Sequence, residues 1–178
     1  ARHGETEANR LQITQGQNKQ NPSTPNTYGD YLNPNGAKQA VLLGKALANV
    51  SFQSIYTSPA IRAFDTANAI IFYNQDSCDK TFVENTLIVE DGLLEIDQGA
   101  FEGMRVEDIK VRHPELYDLY KRKPSQFAFP QGESMLEAKE RIGRTIDRIL
   151  RHKSAEENIL AVSHGGAIAL VFIHIFGL

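Results

Sequence analysis

Apolar residues recur along the chain in two rhythms, short unbroken runs and spacings of three to four, and their alternation predicts its elements. Ala40, Leu43 and Leu47 fall at helical spacing and predict a helix over about Gly36–Asn49. Ser54–Thr57 reads as a short strand. Ser58-Pro59 then supplies an N-cap and a proline at the first helical position, where its missing N–H costs nothing. Ala63, Ala67 and Ile70 share one side of the helix that follows, to about Ile71. Thr86–Glu90 is strand-like, a glycine-bearing loop comes next, and two short helices flank Pro114. Ser134 and Glu137 form a capping box that opens a helix to about His152, with Ala138, Ile142, Ile146, Ile149 and Leu150 on its buried stripe. Asn158–Val162 is an apolar strand and Gly165–Phe176 a helix. Strands alternating with helices predict an α/β protein, a three-layer α/β/α sandwich around a mostly parallel sheet.

Two segments depart from this rhythm. Gln17–Pro34 is rich in Asn, Gln, Pro and Thr and reads as a long surface loop, either a substrate-contacting lid or a plain insertion. Ile159–Leu178 is almost free of charge, yet Ser163, His164, Gly165 and Gly166 interrupt it. A buried strand followed by a buried helix accounts for it better than a membrane span.

The 178 residues fit one domain, 1–178, and 41% hydrophobic with 23% charged residues is an ordinary globular balance. A net charge of −3 argues against a nucleic-acid or anionic-membrane surface. The single cysteine, Cys78, permits neither an internal disulfide nor a CxxC site, which favours a reducing, cytoplasmic setting. Only Ala1 precedes Arg2 and the chain stops just after a helix, so native residues are expected beyond both ends.

The chemistry-bearing residues sit where the strand-like runs end. Ser58 and Arg62 follow one strand, Glu95 follows the next by a few residues, and Ser163-His164 closes the last. Ligands of open α/β sheets bind at the carboxyl ends of strands, so these positions should meet at one edge. His3 joins them if a strand lies just before it.

Arg2-His3-Gly4-Glu5-Thr6, continuing to Asn9 and Gln15-Gly16, resembles the signature of the histidine phosphatase superfamily, the family of phosphoglycerate mutases, fructose-2,6-bisphosphatase-type enzymes and many broad-specificity phosphatases. The resemblance continues through Ser58-Pro59, Arg62-Ala63 and Thr66-Ala67, then Leu94-Glu95 with Gly99 and Glu102-Gly103. It ends with Gly132-Glu133-Ser134 and Ser163-His164-Gly165-Gly166. It implies a phosphoglycerate mutase-like fold and a phosphohistidine intermediate on His3, with Glu95 as proton donor to the leaving alcohol. Asn9 and the Gln15-Gly16 backbone are implied to hold non-transferred oxygens, and Gly165 is implied as a further substrate-binding residue.

The residue types suit that chemistry on their own terms. Attack on a phosphate dianion needs positive charge around the equatorial oxygens and a nucleophile held in line. Arg2 and Arg62 offer planar forks that match phosphate, and a cationic His164 would add a charge-assisted bond. Neither metal nor other cofactor is required. The expected partner is a small phosphorylated substrate, with no nucleic acid and no membrane, and the protein is expected as a monomer or homodimer.

Each residue also has a plainer reading: a surface arginine, a core histidine, a solvated glutamate. Only their joint order outweighs it. His113, His152 and His174 keep the plain reading. Ile96, Asp97 and Gln98 after Glu95 replace the arginine and tyrosine implied for mutases, which favours hydrolysis over transfer. The alternatives are a phosphoglycerate mutase-type phosphotransferase and a catalytically silent relative that binds phospho-ligands or proteins. Phe101, Tyr117, Tyr120, Lys121, Arg122, Phe127 and Phe129 are candidate substrate-facing residues, or else a helix packed on the core with a basic outer face.

Overall fold

The computed structural model describes residues 1–17, 31–74, 87–151 and 153–178. Among these, strand β1 (Ser54–Thr57) pairs in parallel with β2 (Leu87–Val89) on one side and β3 (Ile159–Val162) on the other. The N-terminus adds to the β3 edge. Arg2 bridges Ser163 in parallel, His3 N donates to Ser163 O at 3.0 Å, and Ser163 N donates to Ala1 O at 2.9 Å. No strand lies before His3 among the described residues, but this bridge alone sets His3 level with the carboxyl end of β3.

Alternate side chains of a strand point to opposite faces, and each face here has its own helices. Ile55, Leu160 and Val162 pack with Ala63, Ala67 and Ile70 of α3 (Ile61–Asn74), and Leu43 of α2 (Pro34–Ala46) lies against them. Tyr56 and Ala161 face the other way. They meet a larger cluster that includes Ile142 and Ile146 of α6 (Met135–Leu150) and Ala167 and Leu170 of α7 (Gly165–Phe176). Helices therefore cover both faces of a parallel sheet, the three-layer α/β arrangement that the pattern predicts. Smaller helices α1 (Glu7–Arg10), α4 (Val106–Arg112) and α5 (Pro114–Arg122) complete the shell; the two short helices expected around Pro114 are present, with Pro114 itself opening the second.

The differences from expectation have local causes. Helix α2 starts two residues early because Asn33 caps it, accepting from Gly36 N at 2.8 Å, with Pro34 in its first turn. Helix α3 starts late, at Ile61. Ser58 Oγ accepts only a long bond from Ala60 N, 3.3 Å, and its shorter bond is to His164, so the expected Ser58 cap is replaced by a tertiary contact. The capping box at Ser134 and Glu137 forms as predicted, and α6 ends at Leu150. Helix α7 has the predicted bounds but is not wholly buried. Phe172 and Phe176 stack on each other on an exposed outer face. The uncharged stretch Ile159–Leu178 thus divides into β3 and α7, and no helix among the described residues is long and apolar enough to cross a membrane. Most of the expected Gln17–Pro34 loop, Cys78, Thr86 and His152 lie outside the described residues.

Candidate active site

His3 stands on a turn tied to α3. Gly4 N donates to Thr66 Oγ1 at 3.0 Å, and Thr66 Oγ1 donates to Arg62 O at 2.8 Å. Beyond the turn, Thr6 opens α1 through a capping box with Asn9. The His3 ring is buried, and its Nδ1 lies 2.7 Å from Gly4 O. A carbonyl oxygen can only accept, so Nδ1 carries the hydrogen and Nε2 keeps its lone pair. Burial first, then the charge of Arg62, lowers the His3 pKa to about 4; Arg2 adds to this and the Gly4 bond opposes it. At neutral pH the ring is uncharged, as a nucleophile must be.

His164 follows β3 after Ser163, and its ring centroid lies 5.2 Å from that of His3. Arg62 Nε donates to His164 Nδ1 at 3.2 Å. That nitrogen is therefore the acceptor, and Nε2 carries the hydrogen, donated to Ser58 Oγ at 2.8 Å. Burial, then Arg62 beside the ring, pushes the His164 pKa far below its ordinary value. The expected cationic His164 is thus corrected: the packed ring is neutral and engaged at both nitrogens. Arg62 is itself buried, and its NH2 donates to Gly16 O at 2.9 Å. Gly16 adopts φ +53°, and any side chain there would run into the Glu102 carboxylate. The glycine lets the loop carbonyl reach Arg62.

Glu95 sits at the start of α7. Its Oε1 accepts from Ile96 N at 3.0 Å and Ala167 N at 2.9 Å, and Oε2 accepts from Gly166 N at 3.1 Å. A carboxylate suits a helix N-terminus, where backbone N–H groups lack intrahelical partners.

Arg2, His3 and Asn9 line one opening of about 250 Å³ together with Glu5 and Gln39. Arg2 is exposed, and its guanidinium lies over Gly165, where an added Cβ would be 3.7 Å from Nε. Asn9 Nδ2 and Thr6 Oγ1 both donate to Gln15 Oε1, at 3.1 and 3.0 Å, so Asn9 and Gln15 brace each other. All nine predicted site residues are described, and these bonds and contacts link them in one region. Among the described residues, no three His, Cys, Asp or Glu side chains converge as a metal site.

Of the candidate substrate-facing residues, Phe101, Tyr117, Tyr120, Lys121, Phe127 and Phe129 line a second pocket of about 220 Å³. Arg122 does not; it pairs with Asp118 on the surface. Burial and then the negative charge of Glu95 raise the Tyr120 pKa, which puts this pocket's wall within electrostatic reach of Glu95. Sequence reasoning missed Gln39, whose Oε1 accepts from Glu5 N at 2.9 Å, because nothing marks one polar residue on a helix chosen by its apolar spacing. It also missed Arg141, which bonds the Glu95 carbonyl at 3.2 Å.

The sequence model of the histidine phosphatase superfamily (branch 1) matches residues 1–178. Among curated proteins, phosphoserine phosphatase 1 of Hydrogenobacter thermophilus is 28% identical over 146 residues, which are 82% of this chain and 64% of that protein. Fructose-2,6-bisphosphatase TIGAR of Xenopus tropicalis is 36% identical over 110 residues, 62% of this chain and 35% of that protein. The chain thus spans a little under two thirds of the first relative's length and about a third of the second's. Among solved structures, the alpha-ribazole phosphatase of Shigella flexneri superposes with a TM-score of 0.74 at 28% identity, covering 99% of this chain and 78% of that one. With His3, Arg62, Glu95 and His164 gathered at the strand ends and a family match from end to end, the chain belongs to the histidine phosphatase superfamily, branch 1.

Proposed function

We propose that the chain hydrolyses small phosphate monoesters by passing the phosphoryl group through His3. The observation that carries this reading is the His3 ring itself. It is buried and neutral, its Nδ1 hydrogen is held by Gly4 O, and both the Arg62 and Arg2 guanidiniums act on the ring whose Nε2 keeps the lone pair.

Nε2 attacks phosphorus in line while the bond to the leaving alcohol breaks. Glu95 gives its proton to that alcohol oxygen as the bond to phosphorus breaks. In the second half Glu95 takes a proton from water, the water oxygen attacks phosphorus, and the P–N bond breaks to release inorganic phosphate and free His3. Two moderate barriers replace one high one. Arg2 and Arg62 hold the equatorial oxygens. His164 enters neutral and stabilises the transferring group once the phosphate charge offsets the guanidiniums around it. Asn9, Gly16 and Gly165 frame the oxygens, and Gln15 supports Asn9. The aromatic pocket, whose Tyr120 feels the charge of Glu95, suits a leaving group with a flat or apolar part.

Rapid quenching during turnover of a radioactive phosphate ester tests the proposal. An acid-labile, base-stable adduct is expected in the wild type and none in His3→Ala. Label on a serine or aspartate, or no label during active turnover, would exclude the mechanism.

A further inference from the structure

Glu95 belongs to no helix or strand; the loop that carries it is bonded to one arginine and one glutamate, and Gln17 Nε2 adds a bond to Glu95 O at 2.8 Å. Arg141, on α6 with its side chain 21% exposed, donates from NH1 to Gly92 O at 2.9 Å and Leu94 O at 3.1 Å, and from NH2 to Glu95 O at 3.2 Å. The guanidinium also forms a two-pronged pair with Glu133: Nε donates to Oε1 at 2.7 Å and NH2 to Oε2 at 2.9 Å. Glu133 passes the constraint forward. Its Oε2 accepts from Asp97 N at 2.9 Å, and its own backbone N donates to Asp97 O at 2.9 Å. The main chain on both sides of Glu95 is thus bonded to this pair, while its carboxylate is seated on Gly166 and Ala167.

A largely buried ion pair is weak support for stability, since an apolar pair of similar volume often does as well. What a planar fork does better is fix several acceptors at set angles. Catalytic groups need such fixing, because an error of about 1 Å in placement costs on the order of a hundredfold in rate. We infer that Arg141 and Glu133 are positioning residues that aim the Glu95 carboxyl at the leaving-group oxygen. This rests on the reading of Glu95 as the proton donor.

The role separates from simple structural support through the leaving group. The ratio of kcat/KM for an alkyl phosphate to that for 4-nitrophenyl phosphate is measured in wild type, Arg141→Lys, Glu133→Gln and Glu95→Gln. Each kcat/KM covers only steps up to alcohol release, so the shared second half drops out. A nitrophenolate leaves without a proton, whereas an alkoxide needs one. A variant that folds poorly lowers both values in proportion and leaves the ratio unchanged. Glu95→Gln should lower the ratio most. Arg141→Lys should lower it roughly tenfold to a hundredfold, because a point charge cannot hold three carbonyls and a carboxylate. Glu133→Gln, which keeps the shape and weakens the fork, should fall between Arg141→Lys and wild type. If Glu95→Gln lowers the ratio and the other two do not, the positioning role is overturned and the proton donor stands. If Glu95→Gln leaves the ratio unchanged, the assignment of Glu95 fails and the positioning role goes with it.

Discussion

Acidifying the protein perturbs His3 in a way that the structure quantifies. In the unfolded chain a histidine titrates near its ordinary value of 6.5, while burial and the Arg62 charge hold folded His3 at about 4. Between those values the unfolded state binds the extra proton, so stability falls as pH drops through 6.5 and levels off below 4. The gap predicts a loss of about 3 kcal/mol by pH 4 from this one side chain, at 1.36 kcal/mol per unit. Urea unfolding of wild type and His3→Gln from pH 7 to pH 4, in phosphate-free buffer, measures it. Glutamine stays neutral throughout, so its intrinsic effect cancels when each protein is compared with itself. The depressed His164 acts in the same direction in both proteins and subtracts out. Wild type should lose about 3 kcal/mol more than the variant over this range. The catalytic counterpart is an acid limb of kcat/KM set by His3 below pH 5, because the free enzyme keeps its nucleophile uncharged until then. Parallel stability losses in the two proteins would refute the reasoning and mean that the His3 ring takes up its proton in the folded site as easily as in water.

Arg62→Lys should lower kcat/KM by roughly a hundredfold or more, since one ammonium cannot replace the bonds to His164 and Gly16 while reaching phosphate; near-wild-type steady-state kinetics would show that the fork is not needed. Gly166→Ala places a Cβ 2.6 Å from Glu95 Oε1 and 2.9 Å from Ile96 Cδ1. It should cost about 1–3 kcal/mol in urea unfolding and slow alkyl phosphate hydrolysis, and an unchanged variant would mean that Glu95 does not rest on this helix start.

Much of the fold is legible in the chain because its signals are local. The spacing of Ala138, Ile142 and Ile146, with the Ser134–Glu137 box ahead of them, delimits one face and one end of α6 without reference to any other element. Strand β1 and both ends of α7 are equally local, set by short apolar runs and by Gly165 and Gly177. The gathering of His3, Arg62, Glu95 and His164 follows at one remove, since parallel strands joined by helices bring their carboxyl ends to one edge.

Tertiary structure decided what those residues are when they meet. Ser58 reads locally as a helix cap, yet its shorter bond goes to a histidine 106 positions away. His164 reads as a cation for phosphate, but full burial beside Arg62 makes it neutral. Arg141 looks like any other basic residue on an amphipathic helix, and its role exists only because the loop from Gly92 to Asp97 folds back across it. Helix periods and caps depend on neighbours within one or two turns, so a sequence displays them directly. Protonation states and hydrogen-bond partners depend on desolvation and on charges brought close by the whole fold, and these come into existence only when the layers close.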